Sequence, residues 1–260
     1  MLIVLSPAKS LDYESPLATT KVSEPTMLEH AAELVEVMAG KSPNAIGKMM
    51  GISPQLAELN FERFQNWEVP FTEQTARQAL LAFDGDVYNG MEASTFKQRD
   101  FTHAQKTLRI LSGLYGVLRP LDLMMPYRLE MGTKLKTKRG KDLYGFWGQH
   151  ITDELNAAMT KSPGEKTLVN LASIEYFKSV KQDALDGSIV SPAFLDAKGS
   201  GDYKTIAFFA KRARGSMAGW MIKNRVGSVD ELEGFDGLGY AFDGARSTAD
   251  RPVFTRRNPA

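Results

Sequence analysis

The chain has 260 residues, a formal net charge of +1 and no cysteine. The lack of cysteine excludes disulfides, thiolate zinc sites, iron–sulfur ligation and peroxide chemistry at a thiol. A net charge this close to zero gives no global basic excess, so a surface that binds nucleic acid would have to come from local clustering of charge. The 43% hydrophobic and 24% charged residues are ordinary for a globular protein.

Histidine is scarce and scattered. The three histidines, His30, His103 and His150, are far apart in sequence and form no H-x-x-H pattern. Because zinc and similar ions are usually held by clustered His, Cys or carboxylate ligands, we expect no metal site. We also expect no cofactor, since no cofactor-binding motif is evident.

The first half of the chain combines one strand with several helices. Leu2–Leu5 is an apolar run with no basic residues before it, and it is too short to cross a bilayer, so it predicts a buried strand and a cytoplasmic protein without membrane contact. The helical patterns that follow in chain order are Met27–Met38, Ala45–Met50, Pro54–Phe64, Gln74–Leu81 and Phe101–Leu108. Residues 83–88 are predicted as a strand or turn.

The second half contains most of the predicted strands. Leu143–Met159 is predicted as one long amphipathic helix, and Lys211–Arg225 as a helix with a basic face. The predicted strands are Thr167–Leu171, Ile189–Phe194, Tyr203–Ala210 and one near Val253–Thr255, with a hairpin-like turn over 197–202 and loops over 226–252. Strands in both halves with helices between them predict a single compact α/β domain over residues 1–260, with a mixed sheet surrounded by helices.

A short turn separates the second and third predicted helices. The turn begins at Gly51 and continues through Ile52, Ser53 and Gln55, with Lys48 just before it. It is similar to a helix-hairpin-helix element, over about residues 43–64, whose main-chain N–H groups can bind DNA phosphates. Ser53 replaces the second glycine of that motif. An ordinary αα-hairpin is the equally supported alternative.

The segment from Leu108 to Met131 threads charged residues among apolar ones. It is predicted as an irregular segment that lines a polar cleft, because buried charges need partners. Arginine can hold a phosphate or carboxylate with its planar fork, and a buried carboxylate can act as an acid or base. The residues concerned are Arg119, Asp122, Tyr127, Arg128 and Glu130, followed by Lys134. The alternative is a structural ion network.

Polar residues also follow two predicted strands, where α/β folds place ligands. Ser6 and Lys9 follow the first strand, with the S-x-x-K spacing of a serine–lysine pair, although a solvated loop is the simpler interpretation. After the strand at 167–171 the polar residues are Asn170, Ser173, Glu175 and Lys178, and Asp86 and Tyr88 could complete the same cleft. Here the alternative is a strand-to-helix turn in which Ser173 caps the helix.

The densest basic helix contains Lys211, Arg212 and Arg214, with Lys223 and Arg225 further on and Trp220 among them. Basic residues interleaved with an aromatic side chain suit a phosphate backbone. A solvated helix face is the commoner outcome of such a pattern.

Taken together, the motifs resemble the YaaA family of peroxide-stress-resistance proteins along essentially the whole chain. They are SPAKSLDY, AFDGDVYNGM, LSGLYGVLRPLDLMMPYRLEMGTKL, GKDLYGFWG, NLASIEYFKSV and AKRARGSM. The resemblance implies a cytoplasmic bacterial protein with a single α/β unit. It also implies protection from hydrogen peroxide through low unincorporated iron, and DNA binding by a helix-hairpin-helix element and a positively charged cleft. It brings no established cofactor or catalytic residue to this chain, so the cleft residues above are predicted from the sequence pattern alone.

Three functions follow from these patterns. The first is sequence-independent binding of duplex or branched DNA through the Gly51 turn and the basic helix. The second is an enzyme that acts on a nucleotide or damaged nucleic acid, with a phosphate ligand held by arginine and with Asp122, Glu130, Lys9 and Lys178 as candidate catalytic residues. The third is a stress protein that acts through protein partners, with the cleft charges purely structural.

Overall fold

The computed structural model describes residues 1–199 and 201–258. Within these ranges the helices are α1 (Leu28–Ala39), α2 (Pro43–Met50), α3 (Pro54–Gln65), α4 (Ala79–Ala82), α5 (Asp86–Met91), α6 (Gln98–Thr107), α7 (Leu143–Trp147), α8 (His150–Lys161), α9 (Ile174–Phe177) and α10 (Ala207–Asn224). The strands are β1 (Leu2–Leu5), β2 (Ser10–Leu11), β3 (Arg77–Gln78), β4 (Phe83–Asp84), β5 (Leu108–Ser112), β6 (Gly116–Leu118), β7 (Leu123–Met124), β8 (Thr167–Asn170), β9 (Ser188–Val190), β10 (Ala193–Lys198), β11 (Ala241–Phe242) and β12 (Val253–Asn258).

A five-stranded sheet forms the centre of the molecule, with strand order β6-β5-β1-β8-β9. Strands β5, β1, β8 and β9 are parallel, and β6 returns antiparallel to β5. All four residues of β1 are buried, as expected for an apolar strand with neighbours on both sides. This architecture confirms the predicted α/β fold, and the parallel strands bring the ends of β1, β5 and β8 to one edge of the sheet.

A smaller sheet, β10-β12-β11, lies beside α10. Its core is aromatic: Phe194 stacks on Phe254 at a centroid distance of 5.7 Å, and Phe235 meets Phe254 edge-on. Tyr240 donates a hydrogen bond to the buried Asp196, which also accepts one from Arg256. The two remaining sheets are two-stranded, β2-β4 and β3-β7.

Helices α5 and α10 approach each other through glycine. A Cβ added at Gly215 would lie 1.7 Å from the carbonyl oxygen of Val87, and one added at Gly90 would lie 2.1 Å from that of Arg212. Neither position has room for a side chain. This backbone contact fixes the polar residues at the start of α5 beside those in the first turns of α10.

Several sequence predictions of local structure are confirmed. Strand β1 spans the predicted residues, and the helix predicted over 27–38 is α1. Ser42 caps α2 with its hydroxyl, which accepts a hydrogen bond from the Ala45 N–H, and Pro43 occupies the first helical turn. Helices α2 and α3 flank Gly51, which adopts a left-handed conformation with φ 63°.

Other predictions were wrong for identifiable reasons. The helix predicted over 74–81 is a turn followed by β3 and α4, because Arg77 and Gln78 pair with β7. The helix predicted over 143–159 is two helices, since Gly148 breaks it with φ 51°. The strand predicted over 203–210 contains only a bridge from Lys204 to Asp196, and α10 begins at Ala207. A short apolar run there fits a buried helix as well as a strand.

Two further expectations need correction. The strand predicted over 189–194 is divided between β9 and β10, which belong to different sheets. The segment from Leu108 to Met131, predicted as irregular, begins with β5, β6 and β7. The predicted turn over 197–202 includes Ser200, which lies outside the described residues. No helix in the described part of the chain is both long and apolar enough to cross a bilayer.

Candidate functional site

A cavity of about 510 Å³ opens where β1 and β8 end. We call it the edge cavity. It is lined by Ser6, Pro7, Ala8, Lys9, Ser10, Asp84, Gly85, Asp86, Val87, Tyr88, Tyr127, Arg128, Leu129, Glu130, Leu171, Ser173, Glu175, Tyr176, Lys211 and Arg214. The cavity thus collects residues from five separate stretches of sequence, at the edge of the sheet where α/β folds place ligands.

The floor of the edge cavity is a hydrogen-bonded joint between two strand ends. The Ser173 N–H donates to Ser6 Oγ at 2.8 Å, and the Ser6 hydroxyl lies 3.2 Å from Ser173 Oγ. Tyr88 donates its hydroxyl to the Ser6 carbonyl oxygen at 3.0 Å. Ser6, Tyr88 and Ser173 were singled out from sequence, and the structure brings them together. Ser173 also caps α9, as its alternative interpretation expected.

An ion pair crosses one wall of the edge cavity. Arg128 Nε lies 2.9 Å from Glu130 Oε1, and the two side chains are only 17% and 18% exposed. Lys9 Nζ lies 3.7 Å from the same oxygen, but its side chain is 70% exposed. Glu130 therefore faces two cations, of which Lys9 is free to move toward a ligand.

Tyrosines and a second carboxylate complete the walls. Tyr88, Tyr127 and Tyr176 are protonated at neutral pH, and burial raises their pKa values further above the ordinary 10. The Tyr127 hydroxyl lies 2.6 Å from Ser112 Oγ, which ties the wall to the end of β5. Glu175 Oε1 accepts a hydrogen bond from the Gly132 N–H at 2.9 Å.

Helix α10 contributes two cations to the edge cavity. Lys211 Nζ lies 4.0 Å from Asp86 Oδ2. Arg214 is half-buried, and burial lowers the pKa of its guanidinium. No hydrogen bond or ion pair to the Arg214 side chain occurs among the described residues. A guanidinium withdrawn from water without an acidic partner is suited to an anionic ligand. Arg212 is exposed on the same helix and does not line the cavity.

Arg119 and Asp122 lie outside the edge cavity, contrary to the expectation of one shared cleft. Asp122 is fully buried, and its carboxylate accepts hydrogen bonds from the Arg119 backbone N–H, from Arg119 Nε and from the Ser23 hydroxyl. Burial raises the pKa of the Asp122 carboxyl, and Arg119 opposes that rise. This half of the segment is the structural ion network of the alternative interpretation. Lys134 is exposed and also lies outside the cavity.

Asn170 and Lys178 line a second cavity of about 630 Å³, which we call the basic cavity. Its lining residues are Asn170, Ala172, Ile174, Phe177, Lys178, Gln182, Ser191, Pro192, Ala193, Phe194, Thr205, Ala210, Arg214 and Arg251. Helix α9 contributes to both cavities, and Arg214 lines both. Sequence reasoning missed Arg251, because it lies at the end of a loop region with no motif.

The predicted nucleic-acid element is a helical hairpin. Gly47 and Ala57 let α2 and α3 approach, since a Cβ at Gly47 would lie 3.2 Å from the Ala57 Cβ. Ser53 Oγ accepts a hydrogen bond from the Leu56 N–H at 3.3 Å, so this hydroxyl serves as a helix cap. Ile52 is partly buried, and Lys48, Ser53 and Gln55 are exposed. Contact between this hairpin and DNA remains a prediction.

Metal ligands are not clustered in the described ranges. Within residues 1–199 and 201–258, no group of three or more His, Asp or Glu side chains could hold a metal ion.

Comparison with known proteins identifies the family of this chain. A family model described as "Peroxide stress protein YaaA" matches residues 1–246. The chain belongs to the YaaA family of peroxide stress proteins. A relative from Saccharophagus degradans, named UPF0246 protein, is 54% identical over 257 residues, which cover 99% of this chain and 100% of the relative. The family resemblance predicted from the motifs is therefore confirmed, and with it a role in peroxide stress. All residues of the edge cavity lie within the matched range.

Proposed function

We propose that this YaaA-family protein binds DNA largely independently of sequence in the cytoplasm and thereby helps to limit damage by iron and peroxide. The observation that carries the proposal is the set of cations at the start of α10. Lys211 and Arg212 are exposed there, and the half-buried Arg214 has no acidic partner among the described residues. Phosphate oxygens are the acceptors that such cations bind, whatever the base sequence.

The α2–α3 hairpin offers a second contact with the DNA backbone. The N–H of Gln55 lies in the first turn of α3, where no preceding helical carbonyl can accept it, and Lys48 lies in the last turn of α2. A phosphate near this turn would accept a hydrogen bond from the N–H, and the positive end of the helix dipole would stabilise its charge. The lack of cysteine supports protection by binding, since the chain has no thiol with which to reduce peroxide.

A second candidate is an enzyme that acts on a nucleotide or damaged nucleic acid. It is favoured by the carboxylates of the edge cavity, which would repel phosphate and are not needed for binding alone. Glu130 would act as general acid or base, Arg128 would hold a phosphate, and Lys9 would stabilise developing charge. Asp122 and Lys178, the other sequence candidates for catalysis, lie outside this cavity.

The hairpin contact is tested with a matched pair of variants at Gly51. Valine is strained at the left-handed φ of 63°, whereas asparagine tolerates it. Fluorescence anisotropy with labelled duplex, single-stranded and branched DNA should show binding by the wild type and by Gly51→Asn, and weaker binding by a folded Gly51→Val protein. Equal binding by all three would remove the hairpin from the interface, and no binding at about 50 mM salt would overturn the DNA proposal.

The enzyme candidate is tested with Glu130→Gln, which keeps the shape of the side chain and removes its charge. If the edge cavity is catalytic, this variant should bind DNA like the wild type but fail to restore peroxide survival in cells that lack the protein. Full restoration of survival would exclude a catalytic role for Glu130.

A further inference from the structure

The basic cavity differs from the edge cavity in its charge. The edge cavity contains four carboxylates, on Asp84, Asp86, Glu130 and Glu175. Among its described lining residues the basic cavity has no carboxylate, but it has three cations, Lys178, Arg214 and Arg251. Since like charges brought together raise the local positive potential, such a cavity attracts anions.

The three cations of the basic cavity are weakly neutralised by the protein. Lys178 Nζ lies 5.0 Å from the centroid of the Tyr144 ring, a contact that leaves its ammonium free to donate hydrogen bonds. Arg214 has no hydrogen bond or ion pair among the described residues. Arg251 is exposed and its side chain has no hydrogen bond or ion pair among the described residues, and its attraction to the neighbouring Asp250 carboxylate acts through solvent-exposed groups. Donors are therefore available to a ligand.

The remaining walls suit an organic group attached to the anion. Asn170 donates to Ser191 Oγ at 3.3 Å, which leaves the Ser191 proton available. Phe177, Ala172 and Pro192 supply apolar surface, and Ile174, which also lines the basic cavity, is 89% exposed. A cavity of about 630 Å³ is much larger than a phosphate ion and lies in the range of small-molecule sites.

We propose that the basic cavity binds a phosphate monoester that carries a nucleoside, with Lys178, Arg214 and Arg251 as the donors to its oxygens. A monoester carries about −1.5 to −2 charges at neutral pH, which matches several cations better than the single charge of a backbone diester. The ligand is a free nucleotide or the phosphorylated end of a DNA strand. This site shares Arg214 with the cations at the start of α10, but it goes beyond the proposed function because it requires no binding of duplex backbone by the hairpin or by Lys211 and Arg212.

The test is isothermal titration calorimetry of the full chain with inorganic phosphate, adenosine 5′-monophosphate, and a single-stranded oligonucleotide with or without a 5′-phosphate. We expect the nucleotide to bind more tightly than inorganic phosphate. Lys178→Gln and Arg251→Gln should each weaken nucleotide binding by about tenfold, since each removes a charge-assisted hydrogen bond. The exposed residues Lys161 and Arg99 give matched controls, Lys161→Gln and Arg99→Gln, that should leave binding unchanged.

The outcomes distinguish a free nucleotide from a DNA strand end as the ligand, and the basic cavity from the edge cavity as the binding site. Tighter binding of the phosphorylated oligonucleotide than of the nucleotide would assign the site to strand ends, and the reverse would assign it to free nucleotides. Equal binding of the two oligonucleotides would overturn the preference for a monoester. The proposal also fails if no monophosphate binds, or if Lys9→Gln abolishes binding while Arg251→Gln does not. Duplex binding is measured separately, so its failure would leave this site intact.

Discussion

Ser6 and Ser173 are 167 residues apart in sequence, yet the backbone N–H of Ser173 donates to Ser6 Oγ at 2.8 Å. The contact joins the residue after β1 to the cap of α9, just beyond β8. Because Tyr88 also donates to the Ser6 carbonyl oxygen, three distant parts of the chain meet at one serine. This joint holds the floor of the edge cavity together.

Replacing Ser6 with alanine should lower the free energy of unfolding by about 1–2 kcal/mol, because the Ser173 N–H loses its acceptor in a half-buried position. Guanidinium denaturation measures the effect. Ser10→Ala is the matched control, since Ser10 is exposed and should change stability by less than about 0.5 kcal/mol. Equal effects at the two positions would show that the joint contributes no stability.

Asp122 and Glu130 should respond differently to substitution. Asp122→Ala leaves the Arg119 guanidinium without its buried partner and should cost about 3–5 kcal/mol of unfolding free energy. Glu130→Gln should cost much less, because Glu130 faces a cavity and keeps a hydrogen-bond acceptor. Denaturant titrations of the two variants provide the comparison, and a larger loss for Glu130→Gln would contradict the structural role given to Asp122.

The glycine contact between α5 and α10 should not tolerate a methyl group. Gly215→Ala would place a Cβ 1.7 Å from the Val87 carbonyl oxygen, so the two helices must separate, at a cost of about 3 kcal/mol. Gly40→Ala is the control, because its added Cβ would have only ordinary contacts of 3.6 Å or more. The midpoint temperature of thermal unfolding should fall clearly for Gly215→Ala and stay unchanged for Gly40→Ala. An unchanged midpoint for both variants would disprove the close approach of the two helices.

Acid should destabilise the protein through two histidines. Burial is the main cause that lowers the pKa values of His103 and His150 below their ordinary 6.5, with nearby cations as further causes. Since the unfolded chain then binds protons more readily than the folded one, stability is present above pH 6.5 and declines as the pH falls below it. The double variant His103→Gln/His150→Gln should show a flatter profile of unfolding free energy between pH 8 and about 5. An unchanged profile would contradict this assignment.

The sequence predicted local structure best where capping and periodicity agree. Ser42 and Pro43 marked the start of α2, and the apolar run of β1 marked a central strand, because both signals depend on neighbouring residues alone. The break at Gly148 was missed, since helical periodicity continues across it. The start of α10 was missed because a run such as Thr205–Ala210 suits either a strand or a buried helix.

The candidate site could be predicted only in part. Ser6 was predicted because polar residues that follow a strand lie where α/β folds place ligands. Arg128 and Glu130 were predicted because charged residues among apolar ones need a partner. That Asp122 faces the interior, only eight residues before Glu130, depends on the pairing of β3 with β7, which no local pattern reveals. Arg251 lines the basic cavity because segments distant in sequence pack together, and no local pattern indicates this placement.

The most direct test of the central claim, DNA binding through the phosphate backbone, is a salt series with the wild type and a Lys211→Gln/Arg212→Gln double variant. Duplex affinity should fall steeply between about 50 and 200 mM salt, and the double variant should bind more weakly, with a log–log slope smaller by about 2. Duplexes of unrelated sequence should give the same result. The claim is contradicted if the wild type does not bind duplex, or if its affinity does not depend on salt and the double variant binds equally well.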